Sequence, residues 1–308
     1  MGLFLVTGGS GFVGSNLCAK LVQSGHEVVS VDNYSNGLTS NEVPGVVYVN
    51  DDVALESTWE KLRKYRFNAV FHLAAQSSNA TSFKKPRLDL EANQISTLHV
   101  LEYCKTQGIK RLIFTSSMSV YGNPSVTPTP SSEIPNPQTF YAVHKATSES
   151  YIRFSNDLNW TIFRLYTTYG SGQNMSNLEQ GLVKIFLGFI LRNEPVRVHG
   201  SLDRIRDIIH VSDVVEALML SIDQEKSHNK IYNLGSGVTL TVREIIEQLL
   251  LNYGKPLDYP IITEQADQGD PFITHAEIKD VRADLNWEPR ISPQTGILMT
   301  IKKYIKES

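Results

Sequence analysis

Apolar positions along this chain follow two periods. Leu3–Thr7 is a short apolar run that ends in glycines, and across residues 12–24 the apolar side chains fall at helical spacing, with Leu17, Leu21 and Val22 as the buried stripe. Gly25 stops that helix, and a second β-branched run follows at 28–31. Strand, helix and strand in so short a stretch predict parallel strands joined by crossover helices. The alternation continues, with strands predicted at 46–49, 69–73, 111–115 and 160–165. Helices are predicted around 58–65, 90–107 and 141–155. Strands that are apolar throughout require a sheet covered by helices on both faces.

Beyond Tyr166 the pattern loosens. Gly170, Gly172 and Asn174 mark a loop, 178–191 a helix and 196–199 a strand; 211–222 and 242–251 are predicted helices, and 231–234 a strand. The fold class is therefore α/β: a Rossmann-type, doubly wound parallel sheet with a smaller C-terminal substrate-binding lobe. Residues 1–166 form the nucleotide domain, with returns near 205–234, and 167–308 mainly the substrate lobe. Residues 124–137 carry five prolines among small polar residues and predict an irregular surface loop beside the strand end at Thr115.

Composition narrows the choice of partner. A chain of 308 residues can bury a large core without staples. Cys18 and Cys104 each stand alone in an apolar helical stretch, so reduced, buried thiols are expected of them rather than a bridge, a metal site or a nucleophile. The net charge of −3 is spread along the chain with no basic stripe, which argues against nucleic acid. No apolar run approaches membrane-spanning length, and the first residues lack a basic n-region, so a cytoplasmic protein with a small-molecule partner is expected.

Candidate chemistry begins at Thr7-Gly8-Gly9-Ser10-Gly11-Phe12-Val13-Gly14, where glycines three apart sit at a strand-to-helix turn. Such a turn lets the backbone approach a pyrophosphate lying on the helix N-terminus, although a merely structural turn can look the same. Asp32 ends the next strand, where a carboxylate can accept from ribose hydroxyls; a plain turn residue is the other reading. Neither Asn33 nor Tyr34 supplies the positive charge that a 2′-phosphate needs, which favours NAD over NADP.

Tyr141 and Lys145 lie four apart on a predicted helix, so both project from one face. A free tyrosine titrates near pH 10, and a neighbouring cation stabilises the phenolate, as a general base requires. As an isolated pair they would be an ordinary surface couple; beside the glycine turn they point to catalysis. Ser117, just past the strand at 111–115, can hydrogen-bond the same substrate oxygen, with Ser116 an immediate rival.

With these residues the chain resembles the extended short-chain dehydrogenase/reductase superfamily, in particular its nucleotide-sugar epimerases and dehydratases. The resemblance is also carried by Asn68-Ala-Val-Phe-His-Leu-Ala-Ala75, Ser116-Ser-Met-Ser-Val-Tyr-Gly122, Arg206-Asp-Ile-Ile-His-Val211, Tyr232-Asn-Leu-Gly-Ser-Gly237 and Leu285-Asn-Trp-Glu-Pro289. It implies that Gly8, Gly11, Phe12, Val13 and Gly14 hold the pyrophosphate of NAD, Asp32 and Asn33 the ribose, and Asp52 with Val53 the adenine. Leu73, Ala74, Ala75 and Asn93 would line the cofactor path. It further implies catalysis by Ser117, Tyr141 and Lys145, with Tyr141 and Lys145 also touching the cofactor. A nucleotide-diphosphate sugar would be bound by Ser117, by Asn177 and Leu178 in a helix of the second lobe, and by Arg206 and Asp270. Family habit implies a homodimer through the helices at 90–107 and 141–155.

Departures from the family pattern sharpen the expectation. Dehydratases of the family carry an acidic pair after the position of Ser117, where this chain has Met118 and Ser119. The segment Val31-Asp-Asn-Tyr-Ser-Asn-Gly37 is close to the form in UDP-galactose 4-epimerases. Thr167 stands in place of a usual asparagine, and Asp267 in place of a phosphate-binding arginine, a loss for which Arg204 could compensate. Thr274 matches a gate residue whose size decides whether an N-acetyl group fits. The expected activity is C4 epimerisation of a UDP-hexose or UDP-N-acetylhexosamine through a transient 4-keto sugar. The alternatives are an NAD(P)-dependent 4-keto-sugar reductase or dehydrogenase and, from another class, a non-catalytic NAD-sensing regulator.

Overall fold

A computed structural model of the protein describes residues 1–306. Its strands are β1 (Leu3–Thr7), β2 (Glu27–Asp32), β3 (Val46–Asn50), β4 (Ala69–His72), β5 (Arg111–Ser117), β6 (Asn159–Leu165), β7 (Thr167–Tyr169), β8 (Val196–His199), β9 (Ile205–His210), β10 (Lys230–Leu234), β11 (Thr239–Thr241) and β12 (Ile261–Glu264). The helices are α1 (Phe12–Gln23), α2 (Glu56–Leu62), α3 (Asn79–Lys84), α4 (Pro86–Leu90), α5 (Ser96–Gln107), α6 (Phe140–Arg153), α7 (Leu182–Leu191), α8 (Val211–Leu220), α9 (Val242–Tyr253), α10 (Lys279–Leu285) and α11 (Pro293–Lys306).

Seven strands form one sheet in the order β10-β6-β5-β4-β1-β2-β3, every neighbouring pair parallel. Alternation along the strands divides the core. Leu5, Leu112 and Phe114 point to a cluster with Leu62, Val100 and Tyr103 of α2 and α5. Phe4, Val6 and Ile113 point to the opposite cluster with Leu17, Leu21, Val214 and Leu218 of α1 and α8. A third cluster joins α7, α9 and α11 to the short strands, with Val183, Leu187, Ile245, Leu249 and Ile297 at its centre. The chain order reverses between β1 and β4, which opens a crevice at the carboxyl ends of the strands, the usual ligand position in such sheets. The two cysteines are free and buried, burial pushing both thiols up to about 12. Among the described residues no helix is long and apolar enough to cross a membrane.

Element boundaries differ from the periodic reading in two instructive places. The predicted helix at 90–107 is interrupted by a π-helical turn at Glu91–Ile95, which shifts the following face by one residue. The predicted helix at 178–191 begins only at Leu182. Residues 176–181 offer a single apolar side chain, Leu178, among Asn177, Glu179 and Gln180, and they form a loop instead.

Candidate functional site

One cleft of about 1410 Å³ runs along the carboxyl ends of the central strands and continues between them and α7. At one end lies the glycine turn. Gly8 has a φ of +76°, and a Cβ there would stand 2.8 Å from the Ala74 backbone nitrogen; a Cβ on Gly14 would stand 2.0 Å from the Gly8 carbonyl oxygen. These contacts allow β1, β4 and α1 to meet backbone to backbone. Gly11 caps α1 without a side-chain bond, so the amides of Phe12, Val13 and Gly14 lack intrahelical partners at a wall these residues line. The helix dipole adds to this anion-seeking surface.

At the end of β2, Asp32 accepts from the Ser10 amide (2.9 Å) and the Tyr34 amide (2.8 Å). Burial holds its carboxyl above the ordinary range, with those amides pulling the other way. Asn33 donates to Asp52 at 2.9 Å, and Asp52 also accepts from the Ala54 amide at 2.8 Å, which orders the segment carrying Val53. Asn33, Asp52, Val53, Leu73, Ala74 and Ala75 all line the cleft. Asn93 does not. The π-helical turn buries it behind the wall, where its amide donates to the Gln76 carbonyl at 3.0 Å and the Asp89 carbonyl at 3.1 Å.

In the middle of the cleft stand Ser117, Tyr141 and Lys145. Tyr141 and Lys145 come from the first turns of α6, whose N-terminus is capped by the Thr139 hydroxyl accepting from the Ala142 amide at 3.1 Å. Burial pushes the Tyr141 phenol up to about 12; the Ser117 hydroxyl draws it down and the charge of Asp89 raises it further. Lys145 is only 2% exposed, and burial lowers its ammonium to about 7 against the opposing pull of Glu149 and Asp89. Its Nζ lies 4.4 Å from the centre of the Phe114 ring, a cation–π contact.

Hydrogen bonding distinguishes the two serines. Ser116 donates to Glu149 Oε1 at 2.5 Å and is thereby occupied. Ser117 Oγ accepts from the Ser119 amide (3.2 Å) and the Ser119 hydroxyl (2.9 Å), which turns its own proton toward the Tyr141 phenol in the cleft. Met118 and Ser119 also line the wall, and neither offers a carboxylate.

The far end carries the basic side chains. Arg206, 2% exposed, donates to both oxygens of Asp270 at 2.9 Å and to the Ile205 carbonyl at 2.8 Å. Arg204 reaches the same carboxylate through its terminal nitrogen and the Ser201 carbonyl through Nε at 3.0 Å. Asp267 stands at the rim, paired with His199 Nδ1 at 2.9 Å. Asn177 and Leu178 line the cleft from the loop before α7, not from a helix. Thr167 lines the cleft too, whereas Thr274 is buried beside β9 with its amide on the Ile205 carbonyl and is not on the wall, so its expected gating role lacks a position.

Several side chains that organise this site were not singled out in the sequence. Glu149, one turn beyond Lys145 on the same face of α6, was visible by spacing. Its partner Arg164, on β6, was not. Asp89 holds His144, Gln76 and Asn93 together beneath Tyr141, and nothing local in the sequence marks that convergence.

The pattern defining the NAD dependent epimerase/dehydratase family matches residues 4–235. The chain belongs to that family. Among its relatives, the UDP-glucose 4-epimerase of Mycolicibacterium smegmatis is 29% identical over 313 residues, 99% of each chain. The dTDP-4-dehydro-6-deoxyglucose reductase of Escherichia coli is 30% identical over 313 residues, 97% of this chain and 96% of the relative. In three dimensions the chain is similar to the UDP-glucose 4-epimerase of Thermotoga maritima solved with UDP-glucose: TM-score 0.94, 32% identity, 99% of both chains covered. Membership in an NAD dependent family fits the turn at Gly8 to Gly14, where Gly8 and Gly14 permit a close backbone approach that a Cβ at either would block.

Proposed function

We propose that this protein is an NAD-dependent nucleotide-sugar 4-epimerase acting on a UDP-hexose or its N-acetylhexosamine counterpart. The observation that carries the reading is the hydroxyl of Ser117, oriented by Ser119 and hydrogen-bonded to the Tyr141 phenol, in one cleft with Tyr141 and Lys145 and with no carboxylate at positions 118 and 119. When bound, NAD supplies reversible hydride acceptance at the sugar carbon, which makes a ketone accessible and permits return of the hydride to either face.

The residues of the chain do the rest. The amides of Phe12, Val13 and Gly14 bind the pyrophosphate, and Asp32 binds ribose hydroxyls. Tyr141 takes and returns the proton of the sugar oxygen, Ser117 holds that oxygen by donating to it, and Lys145, in its protonated form, is the cation one turn away that would offset the burial raising the phenol. Arg206, held by Asp270 and by the Ile205 and Phe272 carbonyls, supplies a fixed positive charge for the diphosphate at the other end of the cleft. The sugar turns between these fixed ends, since dehydration would need an acid where Met118 and Ser119 stand.

A retained cofactor is supported by the loop at 174–181, which is tied across the cleft: Asn177 to Asn36 at 2.8 Å, Gln180 to Ser77 at 2.5 Å and Glu179 to Thr81 at 3.2 Å. A second copy of the chain would pack on the exposed apolar side chains Leu98, Val143 and Phe154 at α5 and α6.

The test is direct. Protein purified without added nucleotide is denatured and its nicotinamide counted, and native protein is incubated with UDP-glucose, UDP-galactose and their N-acetylhexosamine counterparts while products are resolved by NMR. About one nicotinamide per chain and interconversion at C4 are expected. Protein that carries no nicotinamide and turns over a 4-keto sugar only with added reduced cofactor is a reductase, and the proposal fails.

A further inference from the structure

The wall at the far end of the cleft holds two guanidinium groups against one carboxylate. Arg204 and Arg206 are adjacent on the same side of β9 and its approach, both nearly fully buried, and both donate to Asp270. The neighbouring charges Arg197, His199, Glu264 and Asp267 stand at the rim, each a third or more exposed, and pair among themselves. Deeper in the wall two buried guanidinium groups therefore share a single carboxylate, and an incompletely matched charge held away from water is costly. Burial lowers Arg206 below the ordinary guanidinium range, with the charge of Arg204 adding to that and Asp270 opposing it. An arriving diphosphate would give each guanidinium an anionic partner of its own.

From this arrangement we infer that Arg204 is a second diphosphate-binding residue, working as a pair with Arg206, and that Asp270 holds both forks in place for a nucleoside diphosphate. The inference rests on the nucleotide-sugar reading above and adds a residue to it. Position 267, acidic here, is taken up by His199 at the rim, and the second cation comes from the start of β9 instead. The two forks share one carboxylate, so they lie close enough together to take neighbouring phosphates of one ligand. Arg204 is held at Nε by the Ser201 carbonyl and by its bond to Asp270, so its fork is preorganised and little ordering remains to be done on binding.

The test is calorimetric titration of the purified protein, with its own cofactor in place, using UDP, UMP and uridine against wild type, Arg204→Gln and Arg204→Lys, with melting temperatures as a folding control. Loss of a charge-assisted contact weakens UDP binding by about tenfold or more, with a smaller loss for UMP and none for uridine. Arg204→Lys keeps the charge without the fork and falls between wild type and Arg204→Gln. If wild type binds UDP and Arg204→Gln binds it equally well, or if UDP, UMP and uridine weaken by the same factor, the inference is overturned while the functional reading stands. If wild type binds no UDP, the functional reading falls and this inference with it.

Discussion

Glu149 grips Arg164 with both carboxylate oxygens, 2.9 Å to Nε and 2.7 Å to a terminal nitrogen, and the oxygen nearer Nε also takes the hydroxyl of Ser116. The pair is buried on both sides, ties α6 to β6 directly behind Lys145, and places Arg164 over the Tyr121 ring at 4.6 Å. Removing one partner strands the other charge away from water. Glu149→Gln is therefore expected to cost about 3–5 kcal/mol of folding stability. Urea denaturation with an unchanged slope and a loss under about 1 kcal/mol would show the pair to be dispensable.

The second prediction concerns proton transfer. On the proposed mechanism Tyr141→Phe removes the hydroxyl that moves the substrate proton, and turnover of a UDP-hexose is expected to drop about 10²- to 10⁴-fold with KM little changed. Ser119→Ala acts one step back, through the orientation of Ser117. Its loss is expected in kcat and to be only severalfold, because the Ser119 amide still donates to the Ser117 oxygen. A Ser119→Ala enzyme as damaged as Tyr141→Phe would put Ser119 itself in contact with substrate.

Much of this site was legible in the sequence because it depends on local geometry. The turn at Gly8 to Gly14 needs glycine for backbone approach, and Tyr141 and Lys145 share a helix face by spacing alone. Asn93 lies in the π-helical turn at Glu91–Ile95, buried behind the residues that line the cleft, a placement that a helical period does not carry. Asn177 and Leu178 were assigned to a helix because the apolar pattern of α7 extends to Leu178, while the polar residues between them and Leu182 form a loop. The Arg204–Asp270 contact joins positions 66 apart and follows from how β9 meets the segment after β12, which no local pattern encodes.

Lys145 links stability to pH. Its folded value, lowered to about 7, lies below the unfolded value near 10.4, so the unfolded chain binds more protons between those limits. Stability conferred at this position therefore rises with pH through that window and is flat below it. In protein stripped of nucleotide, wild type should gain stability relative to Lys145→Met between about pH 7 and 9.5. Parallel curves for the two proteins over that range would place the lysine in a wetter environment than its burial indicates.

The glycine turn offers a structural test of cofactor binding. Gly14→Ala sets a methyl 2.0 Å from the Gly8 carbonyl oxygen, and neither backbone segment can yield without moving α1 away from β1. The variant is expected to purify without nicotinamide and with a lowered melting temperature. Asp32→Ala, by contrast, keeps the glycines but removes the acceptor of the Ser10 and Tyr34 amides along with the proposed ribose acceptor, so weakened cofactor binding with a smaller loss of melting temperature than Gly14→Ala is expected. Nicotinamide content equal to wild type in Gly14→Ala would mean the cofactor does not approach this turn.

On the proposed reading the loop between β7 and α7 retains the cofactor, and its fastenings differ in strength. Asn177 meets Asn36 through a neutral hydrogen bond of 2.8 Å. Lys184, buried in α7, donates to the backbone carbonyls of Asn174 and Asn177 and so holds the loop from beneath; burial lowers its ammonium to about 8. A neutral bond contributes about 0.5–1.5 kcal/mol and a charged donor about 1.5–3 kcal/mol. Asn177→Ala should thus speed release of NAD into an enzymatic trap by about two- to tenfold, and Lys184→Met by about ten- to a hundredfold. The order matters more than the size. Equal rates in both variants would mean that the loop opens without breaking either contact, and a faster Asn177→Ala would place the decisive fastening at Asn36 rather than beneath the loop.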